Sequence, residues 1–396
     1  MNYRTLVRPL AVAVSLLVGF QSASWAAGDE KLVITKQRDS LGFLEPIPVN
    51  ISGFTGEADS VLKNDLLFMG VKNVPAEQAQ YLVTGSNAGR VEGRLTDKVT
   101  KYQLLAKAYT GGNQRAQVHA LADDIAKALT QLPGIAQTKI TFKVEPGARR
   151  SEVYLADFDG FNPVAVTHDQ SLVSSPGWVS RGILVYASYK LGNPYIFSHE
   201  LSSGARKAVA RYPGDNYSPT VSPDGRRVAM ILNKGGSPDL YVSSIDGSGL
   251  KQLTQTREAE SSPCWSPDNQ TICFVSLDGG AAALYAISAS GGKRRPLAIS
   301  GAPNPSEPDW SPDGKWLAFT TRTRAGFTIC IGSPQGGSAI PIVDGEDPSW
   351  APNSRAVIFC KGPDHAKQLY LLDVPTKQVK HVARILESNS SPSWAK

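Results

Sequence analysis

The chain has 396 residues, 41% of them apolar, enough for two domains that each bury a core. Its 36 glycines and 27 prolines favour many turns over long helices. The net charge of +6 falls to +4 without Arg4 and Arg8, and no basic stripe interleaved with aromatics is present, so nucleic-acid binding is excluded as a role.

Residues 1–26 read as a secretory signal peptide. Arg4 and Arg8 supply the basic start, and Leu10–Phe20 is an apolar run too short to span a bilayer. Ser24 and Ala26 are small residues at the positions a cleavage site needs. A retained membrane anchor is the alternative. The expected location is the periplasm. Lys31, Leu32, Val33, Ile34 and Thr35 alternate weakly, as an edge strand or a mobile terminus that adds as a strand to a partner would.

Residues 27–136 are expected to form a small α/β domain. Ala58–Met69 and Asn113–Leu132 carry helical apolar spacing, and Pro133-Gly134 ends the second helix. Strands are expected at Ile47–Gly53, Tyr81–Gly85, Gly89–Thr96 and Gln103–Tyr109, giving the order β-α-β-β-β-α. Two helices would then cover one face of a mixed sheet.

Residues 137–396 are dominated by a repeat. Ser-Pro-Asp-Gly occurs at Ser222–Gly225 and Ser311–Gly314, with variants at Ser266–Asn269 and Ala351–Ser354. Trp178, Val221, Trp265, Trp310, Trp350 and Trp394 mark the repeat at spacings of 43, 44, 45, 40 and 44 residues. That period matches one four-stranded propeller blade. Each turn precedes a strand: Val228–Leu232, Ile272–Ser276, Leu317–Thr321 and Val357–Lys361. Trp394 opens a sixth unit whose other strands are found upstream, at Lys139–Val144, Glu152–Asp157 and Pro163–Thr167. One blade shared between both ends would close a six-bladed ring and remove its open edges. A linear solenoid is the alternative. The fold class expected is therefore mainly β, a six-bladed β-propeller behind a small α/β domain.

The loops leading into the inner strands carry Asp169, Asp215, Asn216, Glu258, Glu260, Glu307, Glu346, Asp347 and Glu387, with Arg257 as the one basic residue among them. An acidic rim of this kind would attract a basic patch or a cation, and a Ca²⁺ ion in the channel is conceivable. Polar loops with no binding role are the plainer reading. No Cys/His spacing suggests a metal site. Cys264 and Cys273 flank one hairpin, either as a disulfide or as small buried residues.

The segments SPTVSPDGRRVAMIL, SPCWSPDNQTICFVS and EPDWSPDGKWLAFTTR resemble the propeller of the TolB family. The junction ADDIAKALTQLPGIAQTKITFKV with VYLADFDGFNPVAVT, and the segments PIPVNISGF and LKNDLLFMGVKNV, are similar to that family's first domain and its passage into the ring. The resemblance implies a non-enzymatic scaffold of the Tol–Pal system, supporting outer-membrane integrity and envelope constriction at division. It implies a Pal-like peptidoglycan-associated lipoprotein on the propeller and a TolA-like inner-membrane protein on the N-terminal segment, with no cofactor. The protein would be monomeric and peripheral to the outer membrane through its partners. The chain is short between Asn73 and Tyr81 relative to the family, and GDEKLVITKQRDS is only loosely similar to the family's terminal segment. A metal-dependent propeller hydrolase or lactonase is the enzymatic alternative. No Gly-x-Ser-x-Gly elbow occurs, and His168, His199, His365 and His381 are scattered over the blades.

Overall fold

The computed structural model describes residues 43–147, 149–382 and 387–396. The expected signal peptide and the Lys31–Thr35 segment lie outside the described residues. Strands β1 (Ile47–Ser52), β2 (Val71–Asn73), β3 (Tyr81–Ser86), β4 (Val91–Asp97) and β5 (Gln103–Tyr109) form one sheet in the order β2-β1-β3-β4-β5. Helices α1 (Gly56–Leu67) and α2 (Gln114–Thr130) pack on it. β2, parallel to β1, is absent from the sequence expectation because three residues are too few for a readable alternation.

The α2 helix starts where Asn113 caps the Ala116 N–H at 2.9 Å, and it ends at Gln131 in the left-handed region. Its stripe of Val118, Leu121, Ala122 and Ile125 is fully buried. Gly93 on β4 lets this stripe approach, since a Cβ there would meet Leu121 Cδ1 at 2.4 Å.

The rest of the chain forms six four-stranded sheets around an axis. Their inner strands are Val173–Ser180, Asn216–Val221, Glu260–Trp265, Pro305–Trp310, Glu346–Trp350 and Ser388–Trp394. We number the blades one to six in that order. Ser388–Trp394 pairs antiparallel with Lys139–Gly147, and Arg150–Asp157 and Val164–Ala165 complete the sixth blade. The ring is thus closed by strands from both ends of the repeat. Trp394 is buried in this seam and donates its indole N–H to Thr138 Oγ1 at 2.7 Å.

Each inner strand begins earlier than the Trp-anchored pattern predicts, so five expected loop residues are strand residues: Asn216, Glu260, Glu307, Glu346 and Asp347. Proline misled the expectation, because it normally interrupts a ladder. Here Pro176, Pro219, Pro263, Pro308, Pro348 and Pro392 lie on strands that pair on one side only, where a missing N–H is tolerated. The residue before each proline sits at positive φ: Ser175 49°, Ser218 49°, Ser262 47°, Glu307 52°, Asp347 54° and Ser391 49°. The pairing of each inner strand with its neighbour shifts register around this point.

The ring has a leading end, where inner strands start, and a trailing end, where the Ser-Pro-Asp-Gly turns lie. The α/β layer meets the trailing end of blades five and six. Leu44 N–H donates to Pro375 O at 2.7 Å, Phe68 packs edge-on to Phe158, and Arg115 pairs with Asp159. Arg355 and Asp373, an internal pair of blade five, lie directly under Gly70.

Candidate functional site

The six inner strands enclose an axial cavity of about 760 Å³ that opens at the trailing end. Ser175, Ser218, Ser262, Glu307, Asp347 and Ser391 line it, so two carboxylates replace serine at equivalent positions of neighbouring blades. Glu307 Oε2 accepts the backbone N–H of Asp347 at 3.0 Å and the Thr320 hydroxyl at 2.8 Å. Asp347 Oδ2 accepts the backbone N–H of Ser391 at 2.9 Å. Each acid therefore reaches to the next blade and braces the N–H of its pre-proline residue. Burial, with the neighbouring Asp347 charge adding to it, pushes the Glu307 carboxyl up to about 8.

The nine rim residues expected from sequence do not form one acidic band. Asn216 is fully buried and clamps its own loop, bonding Tyr212 N at 3.0 Å, Tyr212 O at 2.9 Å and Gly214 O at 3.0 Å. Glu260 is fully buried; its Oε1 accepts Thr256 Oγ1 at 3.0 Å and Arg294 at 3.3 Å, while Oε2 has no partner. Burial raises its carboxyl above the ordinary range. Glu346 is held by Lys367 at 2.8 Å, and Asp169 by Arg206 at 2.5 Å and Lys190 at 3.6 Å. Asp215 and Glu387 are exposed and Glu258 half-buried, with no ion pair among the described residues.

Sequence reasoning followed only the loops into the inner strands and missed the hairpins between second and third strands, which reach the same end. These carry Lys190, Lys234, Arg322 and Lys361, so the leading end is mixed in charge. They also expose apolar side chains: Tyr189 at 40%, Leu191 at 48%, Leu277 at 40% and Phe327 at 37%, beside Leu172 of a leading loop at 41%. The Tyr189 N–H donates to Leu172 O at 2.9 Å, so these two side chains share one patch on blade one. Apolar side chains grouped within a polar rim mark docking surfaces. The signal was available, since the hairpin positions follow from the same repeat.

Among the described residues no group of three or more His, Cys, Asp or Glu side chains gathers around a common point. Ca²⁺ takes six to eight oxygen ligands, and the channel carboxylates already spend oxygens on backbone N–H groups. The pair reads first as an inter-blade brace. The four cysteines are buried free thiols, and Cys264 faces Cys273 across the hairpin in register. His199 is held by Tyr186 at 3.1 Å, and His365 lies 3.8 Å from Glu145, on different blades.

The profile of the TolB β-propeller domain matches residues 126–396. The Tol-Pal system protein TolB of Anaeromyxobacter dehalogenans is 29% identical over 286 residues, covering 62% of this chain and 64% of that protein. The chain thus spans about 64% of that relative's length. The TolB homolog of Chlamydia caviae is 35% identical over 140 residues, 33% of each chain. The crystal structure of TolB from Acinetobacter baumannii matches with a TM-score of 0.79 at 21% identity, covering 91% of this chain and 98% of the other. This last likeness is one of fold.

Proposed function

Because the chain belongs to the TolB β-propeller family, we propose that it is a non-enzymatic periplasmic docking protein of a Tol–Pal system. The leading end of the ring binds a Pal-like peptidoglycan-associated lipoprotein, and the Lys31–Thr35 segment engages a TolA-like inner-membrane protein. The protein works as a monomer without cofactor or nucleic acid, and it sits at the outer membrane through its partners.

One observation carries this reading. The α/β layer rests on the trailing end, which leaves the leading end of the ring free for a partner. That end combines exposed apolar side chains (Leu172, Tyr189, Leu191, Leu277, Phe327) with free acids (Asp215, Glu387) and hairpin cations. Apolar contacts would supply affinity, and the charges would set orientation and encounter rate. A metal-dependent hydrolase would need a convergent ligand set, and the channel offers a carboxylate pair engaged in bracing blades.

The experiment is a titration of the purified protein with the soluble domain of a Pal-like lipoprotein. The Leu172→Asp/Tyr189→Asp variant should weaken binding by about tenfold or more, as expected for two buried contact residues. Reversing Asp215, Glu258 and Glu387 to lysine should mainly change the on-rate and its salt dependence. Undiminished binding by both variants would remove the leading end from the interface. Turnover of ester or lactone substrates on adding divalent metal would overthrow the non-enzymatic reading.

A further inference from the structure

We propose that the boundary between the α/β layer and the ring carries a proton-operated latch, in which the buried His119–Asp65 pair sets how firmly Arg115 holds Asp159. His119 and Arg115 share the inward face of α2. His119 Nδ1 lies 2.6 Å from Asp65 Oδ2 on α1, and its ring meets Phe158 of the propeller edge-on at 5.9 Å. Four residues earlier, Arg115 pairs with Asp159 in the turn next to Phe158, and with Glu57 at 2.9 Å. The same two helical turns therefore carry both the titrating pair and the ion pair across the boundary.

The cluster is closed off from water yet incompletely bonded. Asp65 is 0% exposed and His119 6% exposed. Asp65 Oδ1, His119 Nε2 and Arg115 Nε have no hydrogen-bond partner. Such groups gain solvation when the boundary opens, so the closed state depends on how the pair's charge is balanced. With a proton on the pair its net charge is zero. Loss of that proton leaves a fully buried carboxylate beside a neutral imidazole, with Asp159 close by.

Groups on every adjoining element act on the pair. Asp65 and Glu57 come from α1, and Arg115 and Asp123 from α2. Asp159 comes from the sixth blade and Lys380 from the outer strand of the fifth. Arg115 opposes the imidazolium, whereas Asp65 and Asp159 favour it. Burial also works against the charged ring, but the hydrogen bond and charge of Asp65 outweigh it, and His119 titrates above its ordinary value. Burial is the main cause that pushes Asp65 up to about 6. Both values are raised in the closed state, so closure is strongest on the acid side. It weakens as pH rises from the ordinary carboxyl value to about 6, and further between the ordinary and raised values of His119, and is constant above them. A cavity of about 270 Å³ lined by Asn64, Phe68, Arg115, Asp159 and Lys380 lies along the same boundary, where water can enter as it parts.

Hydrogen exchange of the 61–65, 114–119 and 157–161 segments at pH 4, 5, 6, 7 and 8, corrected for intrinsic rates, tests the latch. Release of one proton on opening predicts an opening equilibrium that grows by up to about tenfold per pH unit between the ordinary and the raised closed-state titrations, and levels off above the closed-state value. The turn at 222–225 should show no such growth. His119→Gln and Asp65→Asn should each flatten the profile. Should either variant fail to fold, imidazole ¹⁵N shifts of His119 in the unaltered protein replace it, and their midpoint must coincide with the pH at which the growth of opening levels off. Exchange that is flat with pH, growth that persists in His119→Gln, or a His119 midpoint unrelated to opening would overturn the latch.

Discussion

The ring and the α/β layer solve the problem of staying folded in different ways. The ring repeats one local code six times: a bulge at a left-handed residue, a proline facing the axis, and an apolar side chain two residues on, Trp in five blades and Val221 in the second. The α/β layer repeats nothing, and it is joined to the ring by a shared apolar core, with Phe68 against Phe158, and by unique buried polar contacts such as Arg115–Asp159. A repeated code spreads stability over many equivalent contacts, so its functional positions are those where the repeat is broken. Glu307 and Asp347 in place of serine are the clearest break. In the layer, a unique contact is itself the informative feature.

The comparison can be broken most forcefully at the seam. Trp394→Ala removes a 1%-exposed side chain from the strand that closes the ring, and should cost about 3–5 kcal/mol of stability. Chemical denaturation would measure it. A loss no larger than that of an exposed position would mean that closure is not what holds the ring.

Next comes the boundary. Arg115→Ala leaves Asp159 buried without its cation and should cost about 3 kcal/mol. The loss should appear as faster proteolysis between the layer and the ring, with the blades still protected. Simultaneous loss of both regions would show that they are one cooperative unit.

A smaller effect separates brace from binding site in the channel. Because Glu307 is raised to about 8, the stability it contributes is greatest in acid and is lost as pH rises through that value. Glu307→Gln keeps an acceptor for the Asp347 N–H and should flatten the fall of thermal midpoints between pH 5 and pH 8. An unchanged slope would place the titration elsewhere. Smallest of all, reversing exposed Asp215 or Glu387 should move stability by no more than about 0.5 kcal/mol, so any loss of partner binding there is a contact effect.

Much of the ring was legible because its turn chemistry recurs. The blade count and the Lys139 strand beside the Trp394 strand both follow from the repeat. The inner-strand starts were not legible, because proline hides a strand whose unpaired inner edge faces a channel. Asn216, Glu260 and Glu346 looked like rim polarity; Asn216 is held within its own loop, while the two glutamates are held by Arg294 and Lys367, distant in sequence, which no local pattern names. The His119–Asp65 contact joins residues 54 apart on different helices, and a helical stripe alone marks only which face of α2 is buried.

The most direct test of the central claim is amide hydrogen exchange of the protein saturated with a Pal-like lipoprotein domain. The account predicts new protection at the leading end, in segments 169–174, 189–193, 214–218 and 257–261. Protection confined to the trailing turns at 222–225, 266–269 and 311–314 would contradict it.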